Sequence, residues 1–152
     1  MADEVQVTTE IAASPDQVWA MVADLPRMAE WSPENVGVTW RKGATAAVAG
    51  ASFAGTNRQG GKSWSTVGTV LLADPGRTLS FRVTAAGMKV SVWTYQFEPT
   101  DSGCRVTETW LDERNWLVKA LGKPVSGVGD RVTHNRAGME QTLAKLKVAA
   151  ET

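Results

Sequence analysis

Residues 90–111 read Val-Ser-Val-Trp-Thr-Tyr-Gln-Phe-Glu-Pro-Thr-Asp-Ser-Gly-Cys-Arg-Val-Thr-Glu-Thr-Trp-Leu, and this stretch decides the fold. Large apolar side chains alternate with small or polar ones on both sides of a hairpin loop at residues 99–103. The pattern predicts two antiparallel strands, Val90–Phe97 and Cys104–Leu111. One face of this pair carries Ser91, Trp93, Tyr95, Phe97, Val106, Glu108 and Trp110. The sequence therefore predicts a sheet whose inner face is aromatic and includes one carboxylate.

Upstream of this hairpin, short strands alternate with turns. Strands are predicted from Val5 to Ile11, Val36 to Trp40, Ser52 to Arg58, Trp64 to Ala73 and Leu79 to Thr84. The turn at residues 74–76, Asp-Pro-Gly, has a clear cause, because Pro presets φ and Gly accepts a positive φ. Residues 43–50 are rich in Gly and Ala and are predicted to be a loop. Short turns between strands favour an antiparallel sheet of about six or seven strands.

Segments with helical periodicity occur near the beginning and at the end of the sequence. After the first strand, Ser14 is a good N-cap, Pro15 suits the first helical position and Gln17 completes a capping box. A second, short helix is predicted at about residues 27–31. After Asp130, apolar residues at helical spacing predict a C-terminal helix of about 18 residues, near 27 Å long. A sheet with helices on one face is an α+β fold.

Length and charge narrow the class of protein. The 152 residues suit one domain, 1–152, which is large enough to fold without disulfides or a metal. Lys plus Arg and Asp plus Glu each number 16, and this balance argues against nucleic-acid binding. The acidic residues 1–4 contain no apolar segment of a signal peptide, and no apolar run is long enough to span a membrane. We expect a cytoplasmic monomer or homodimer with no stable membrane insertion.

Several chemistries are excluded by residue counts and spacing. Cys104 is the only cysteine and His134 the only histidine, so no disulfide and no zinc site of the usual ligands is expected. Residues 55–63 are similar to a P-loop, but the spacing is one residue too long and a strand follows instead of a helix. Neither a nucleophile elbow nor a dinucleotide-binding glycine motif is present. We expect no cofactor and no metal.

Motifs along nearly the whole chain resemble one known superfamily. They are IAASPDQVW at 11–19, WSPE at 31–34, FAGTNR at 53–58, DPGR at 74–77, WTYQFEP at 93–99, GCRVTETW at 103–110 and NRAGMEQTL at 135–143. In their order and spacing they resemble the START-like, polyketide cyclase/dehydrase and lipid-transport superfamily (SRPBCC). The resemblance implies a helix-grip fold, in which a curved antiparallel sheet wraps around a long C-terminal helix. It also implies a deep cavity for hydrophobic ligands such as lipids, sterols or polyketides, but no single reaction.

The aromatic residues independently support a cavity. Seven Trp stand against three Phe and one Tyr, and an indole N–H needs a partner that a dry core rarely offers. Each Trp could be a core residue, but together with Tyr95 they exceed what a small core needs and favour a lined pocket. The side chains expected to bind ligand are Phe53, Asn57, Trp64, Thr66, Phe81, Trp93, Tyr95, Glu108, Trp110, Asn135 and Met139.

The polar candidates allow different interpretations. Glu108 is either a structural carboxylate bonded to an Arg or to a Trp N–H, or a polar anchor or proton acceptor for a ligand. If the protein is an enzyme, Glu108 is its only catalytic candidate. Asn57 and Asn135 are the other inward polar candidates. His134 lies off the inner stripe of the last helix, so it is predicted to face solvent rather than to act as a base.

Residues 116–121, Trp-Leu-Val-Lys-Ala-Leu, are predicted to form a short apolar helical turn, followed by a flexible Gly-containing connection. This segment either packs under the sheet as satellite core or forms a portal made of Trp116, Leu117 and Leu121. A third interpretation is contact with a membrane during ligand exchange, for which two turns are short.

Three functions are compatible with this sequence. The first, which we favour, is non-catalytic binding or transport of a small hydrophobic ligand of lipid, polyketide or aromatic type. The second is a polyketide aromatase/cyclase or dehydratase that uses Glu108 as general acid or base. The third is a stress-related or interaction module without a ligand.

Overall fold

The computed structural model describes residues 2–152, and Met1, the first residue of the acidic N-terminus, lies outside the described residues. Its elements are β1 (Glu4–Ile11), α1 (Pro15–Ala23), a 3₁₀ helix (Leu25–Glu30), β2 (Asn35–Arg41), β3 (Ser52–Gln59), β4 (Lys62–Asp74), β5 (Thr78–Ala85), β6 (Met88–Thr100), β7 (Gly103–Asp112), α2 (Trp116–Ser126) and α3 (Arg131–Glu151). Each predicted strand is present. The helical turn predicted at residues 116–121 is wrong in extent, because the helix continues through the connection that was expected to be flexible.

All seven strands belong to one antiparallel sheet in the order β1-β7-β6-β5-β4-β3-β2. The first strand therefore pairs with the last, while β1 and β2 form the two open edges. The sheet is curved around α3, which packs against β1 and β7. This arrangement is the helix-grip α+β fold that the sequence predicted.

The start of α1 follows the predicted cap only in part. Ser14 Oγ accepts the backbone N–H of Gln17 at 3.1 Å, and Pro15 is the first helical residue. The prediction that Gln17 completes a capping box is wrong. Its side chain instead donates to the carbonyl of Ala150 at 3.5 Å. Glu151 also accepts the N–H of Ala12 at 2.8 Å. These bonds fix the end of α3 against the β1–α1 corner.

The two halves of α3 have different surroundings. Leu143, Leu146 and Ala150 on its C-terminal half belong to the main apolar core, together with Val18 and Val22 of α1. The N-terminal half faces open space between itself and the sheet, described below. Because α1 fills the space under only one end of the helix, the other end can remain hollow.

Gly103 begins β7 in a conformation that other residues rarely adopt, with φ at 155°. A Cβ at this position would lie 2.2 Å from the carbonyl oxygen of Ile11 and 2.6 Å from the nitrogen of Ala13. Glycine therefore lets the β6–β7 hairpin contact the backbone of the β1–α1 corner directly.

Candidate ligand-binding cavity

A cavity of about 420 Å³ lies between the sheet and the N-terminal half of α3, and α2 covers part of its side. Every side chain that the sequence predicted to bind ligand lies on its wall: Phe53, Asn57, Trp64, Thr66, Phe81, Trp93, Tyr95, Glu108, Trp110, Asn135 and Met139. The volume is in the range of small-molecule sites, roughly 300 to 1,000 Å³. The binding role of each of these residues stays a prediction.

Aromatic rings form one continuous wall of this cavity. Phe81, Trp93 and Trp110 occupy paired positions on β5, β6 and β7, so their side chains lie side by side across three strands. Phe53 meets the edge of Phe81 with ring centroids 5.3 Å apart and an interplanar angle of 80°. Trp93 is only half-buried, which leaves apolar ring surface open to the cavity. Such a surface favours a ligand that contains rings.

Glu108 and Tyr95 form a polar pair within the aromatic wall. They are cross-strand partners on β7 and β6, and the Tyr95 hydroxyl donates to Glu108 Oε2 at 2.8 Å. The prediction that an Arg or a Trp N–H bonds to Glu108 is therefore wrong. The other oxygen, Oε1, is buried and has no hydrogen-bond partner among the described residues. No cation is paired with this carboxyl in the described part of the chain.

The environment of Glu108 changes its protonation. The side chain is 2% exposed, and burial raises its pKa to about 8, although the Tyr95 hydrogen bond acts in the opposite direction. Burial and the neighbouring Glu108 likewise raise the pKa of Tyr95 well above its usual value. At pH 7 the Tyr95 hydroxyl is therefore neutral, and the Glu108 carboxyl group is mostly protonated. A neutral carboxyl group can donate one hydrogen bond, which an ionised carboxylate cannot do.

A second polar group lies at the start of α3. Arg131 Nη1 donates to both oxygens of Glu34, at 3.0 and 2.9 Å, and to Asn135 Oδ1 at 3.2 Å. The Arg131 guanidinium lies over the ring of Trp64, 5.5 Å from its centroid. His134 Nε2 donates to Glu34 Oε2 at 2.8 Å. All five side chains lie on the cavity wall.

The solvent-side position predicted for His134 is therefore wrong. At the first turn of α3, His134 contacts Glu34, which lies in the segment before β2. This segment covers a side of the helix that is exposed to solvent further along α3. The bond to Glu34 fixes a proton on Nε2, which leaves Nδ1 of a neutral ring as an acceptor. Arg131 was also missed, although it lies four residues before Asn135, on the same side of the helix.

Three polar side chains continue this region across β2, β3 and β4. Asn57 Nδ2 donates to Thr66 Oγ1 at 3.1 Å, and Asn35 Nδ2 approaches Asn57 Oδ1 at 3.5 Å. Asn35 Oδ1 is buried and has no partner among the described residues. The cavity thus has a polar region along β2–β4 and α3, and an isolated polar pair on β6–β7.

Only one of the three predicted portal residues lies on the cavity wall. Leu121 lies on the cavity wall together with Val118, but Trp116 and Leu117 do not. Trp116 is 80% exposed, so the interpretation of this segment as satellite core is wrong. Whether α2 opens as a portal stays a prediction.

Among residues 2–152, no group of three or more His, Cys, Asp or Glu side chains is arranged to hold a metal ion. Within the same residues, no helix is long and apolar enough to cross a membrane.

The open curved sheet, the C-terminal helix held against it and the cavity between them define a helix-grip protein. The chain matches the family model described as polyketide cyclase / dehydrase and lipid transport over residues 2–151, and it belongs to that family. No curated protein matches the chain.

Solved structures of similar fold come from several sources. A protein from Chromobacterium violaceum is 14% identical with a TM-score of 0.75, and 99% of each chain is covered. A Polyketide_cyc-like protein from Corynebacterium glutamicum is 26% identical with a TM-score of 0.60, covering 99% of this chain and 90% of that one. The di-domain ARO/CYC StfQ from the steffimycin biosynthetic pathway is 14% identical with a TM-score of 0.76, covering 99% of this chain and 51% of that one.

Proposed function

We propose that this protein binds a small, ring-containing hydrophobic molecule in the cavity, where Glu108 donates a hydrogen bond to an acceptor atom of the ligand. The observation that carries the proposal is a hollow with an aromatic wall that contains one neutral, incompletely bonded carboxyl group. A filled core would place apolar side chains there. Family membership supports the same assignment, because the description of the family names polyketide cyclases and lipid transport, both of which involve apolar molecules.

The energetics favour an apolar ligand over water in this cavity. Each Å² of apolar surface removed from water contributes about 25 cal/mol, and contacts between offset or edge-to-face rings add about 1 kcal/mol per pair. A buried oxygen without a partner costs about 1 to 3 kcal/mol, which a ligand hydrogen bond to Glu108 would recover. A ring system with a carbonyl or hydroxyl oxygen at one end satisfies both requirements.

Filling the cavity should weaken ligand binding without unfolding the protein. Val83 on β5 lines the cavity, so Val83→Trp would place an indole in the hollow. We expect the affinity for N-phenyl-1-naphthylamine, a neutral aromatic dye, to fall at least about tenfold, which corresponds to about 1.4 kcal/mol. Dye fluorescence during titration measures the affinity.

The matched control is Val67→Trp on the adjacent strand β4. Val67 is half-buried like Val83, but it alternates with the cavity residue Thr66 and so lies on the opposite face of the sheet. Near-UV circular dichroism of both variants would show whether they are folded. Equal dye affinity of the two variants, or no dye binding by the native protein, would contradict the binding proposal.

General acid catalysis is a second candidate function, and the protonated state of Glu108 at neutral pH favours it. A buried carboxyl group with a pKa near 8 can give its proton to a leaving hydroxyl group, which departs as water. The resulting carboxylate can then take the proton from the neighbouring carbon of the substrate, which restores the acid. The net reaction is a dehydration.

Glu108→Gln tests this second function. We expect dehydration of a β-hydroxyacyl thioester, which carries the leaving hydroxyl group, to slow by at least about 100-fold, because an amide cannot supply the proton. Mass spectrometry detects the product through the loss of one water. Tyr95→Phe is the companion variant, since it removes the partner of Glu108 but keeps the acid. If the native protein binds the thioester and never forms the dehydrated product, the protein is a binder only.

A further inference from the structure

The helix α2 is unusually apolar for a helix at the surface. Trp116 is 80% exposed, Leu117 43%, Leu121 47% and Val125 47%. Four large apolar side chains are thus exposed within 11 residues. Leu121 and Val125 also line the cavity, so Trp116 and Leu117 are the large apolar residues of the outer face. Single exposed apolar residues are ordinary, but a contiguous group of them marks a surface that contacts something else.

The helical positions of these residues separate an outer and an inner face. At 100° per residue, Trp116, Leu117, Ala120 and Pro124 fall within an arc of about 100°. All four are exposed, and none lies on the cavity wall. The opposite side of the same helix, which includes Val118 and Gly122, lines the cavity. The outer apolar face is therefore not explained by the cavity.

The charged side chains of α2 itself are all positive. Lys119 and Lys123 follow each other along the Trp116 edge of the helix, and α2 contains no Asp or Glu. Lys62 approaches the end of the helix at Gly127. Neither Lys62 nor Lys123 has an ion-pair partner within residues 2–152.

The acidic side chains that flank α2 in the sequence are already bonded. Asp130, beyond its C-terminal end, accepts the backbone N–H of Thr133 at 3.2 Å. Asp112 forms an ion pair with Arg114 at 2.9 Å. Lys119 lies farther from the same carboxylate, at 3.9 Å, and shares it with Arg114. Glu113 is held by Arg82 at 2.8 Å. The surface around α2 therefore presents uncompensated positive charge next to exposed apolar side chains. This combination fits a surface that is negative outside and apolar beneath.

We propose that the outer face of α2 docks on an anionic lipid bilayer. The helix lies in the plane of the interface, with Trp116 and Leu117 inserted at the level of the headgroups and Lys119 and Lys123 on the lipid phosphates. At about 16 Å the helix is long enough for peripheral docking and too short to span a bilayer. The docking surface does not depend on whether the cavity holds a ligand.

Co-sedimentation of the full chain with vesicles tests this proposal. We expect binding to phosphatidylcholine vesicles that contain phosphatidylglycerol, weaker binding as salt increases, and little binding to phosphatidylcholine alone. Combined Lys119→Gln and Lys123→Gln changes should weaken binding about 30-fold, at about fivefold per lysine. Trp116→Ala should weaken it about tenfold through the lost apolar contact.

The matched controls are Val148→Ala and Lys145→Gln, which change an exposed apolar residue and an exposed cation on α3. Both should bind vesicles like the native protein. No binding to the anionic vesicles would overturn the proposal, and so would equal binding by Trp116→Ala. A concentration-dependent dimer that Trp116→Ala dissolves in size-exclusion chromatography would assign the surface to a second copy of the chain instead. Because the vesicle assay uses no ligand, its failure leaves the cavity proposal untouched.

Discussion

Glu108→Gln is expected to be more stable than the native protein at pH 9 by about 5 kcal/mol, whereas at pH 4 the two proteins should have nearly the same free energy of unfolding. In the folded protein, burial raises the pKa of Glu108 from 4.5 to about 8. Between these values the unfolded chain releases the proton and the folded protein keeps it. Native stability therefore falls by about 1.4 kcal/mol per pH unit in this range, and glutamine removes that loss.

Urea unfolding of both proteins from pH 4 to pH 9 measures this effect. All other titrating groups are shared, so the difference between the two curves isolates Glu108. Glu98→Gln on the neighbouring strand is the matched control, because its carboxylate is exposed, and it should follow the native curve. If the Glu108→Gln and native curves run parallel, Glu108 is ionised in the folded protein, and its assigned role as hydrogen-bond donor is wrong.

Gly103→Ala should reduce the free energy of unfolding by about 4 kcal/mol or prevent folding. The new Cβ would collide with backbone atoms of Ile11 and Ala13, at 2.2 and 2.6 Å, and no side-chain rotation can relieve such a contact. The backbone conformation adds strain, because φ is 155° at this residue. Either the hairpin or the β1–α1 corner must move.

Gly61→Ala is the control for Gly103→Ala. Gly61 lies in the turn between β3 and β4, and a Cβ there would meet no atom within 4 Å. Urea unfolding compares the two variants, and far-UV circular dichroism shows whether the Gly103 variant keeps its sheet. A loss below about 1 kcal/mol for Gly103→Ala would mean that the corner is more deformable than this close contact indicates.

Much of the cavity wall could be predicted because strand side chains alternate with a period of two. Once residues 90–111 are placed in a hairpin, Trp93 and Tyr95 must share a face, and Glu108 must lie beside them. The partner of Glu108 was missed, although the hairpin fixes it: pairing of Thr100 with Gly103 sets a register that places Tyr95 opposite Glu108.

The polar group at the start of α3 could not be predicted in the same way. Glu34 meets Arg131 and His134 across 97 and 100 residues of sequence, and no local pattern reports such a contact. The apolar stripe of the last helix predicts which residues are buried only where the helix packs against the sheet. At its first turn a second element packs on the helix, and His134 becomes half-buried there.

The segment around Trp116 shows a different limit. Its composition, apolar with two lysines and no acid, predicts a helix but does not say which side is covered. Gly127 and Gly129 favoured a flexible connection, whereas the helix runs to Ser126 and ends at Gly127 with φ at 76°. Only the three-dimensional arrangement shows that Val118 faces the cavity while Trp116 is exposed.

The pairing of the first strand with the last has a consequence for synthesis. Thr8 on β1 bonds Thr107 on β7 across 99 residues of sequence. At about 5 to 20 residues per second, a ribosome needs roughly 5 to 20 s to make the intervening chain. During that time Val5, Val7 and Ile11 have no strand beside them, so the nascent β1 segment exposes unpaired apolar residues that chaperones can recognise.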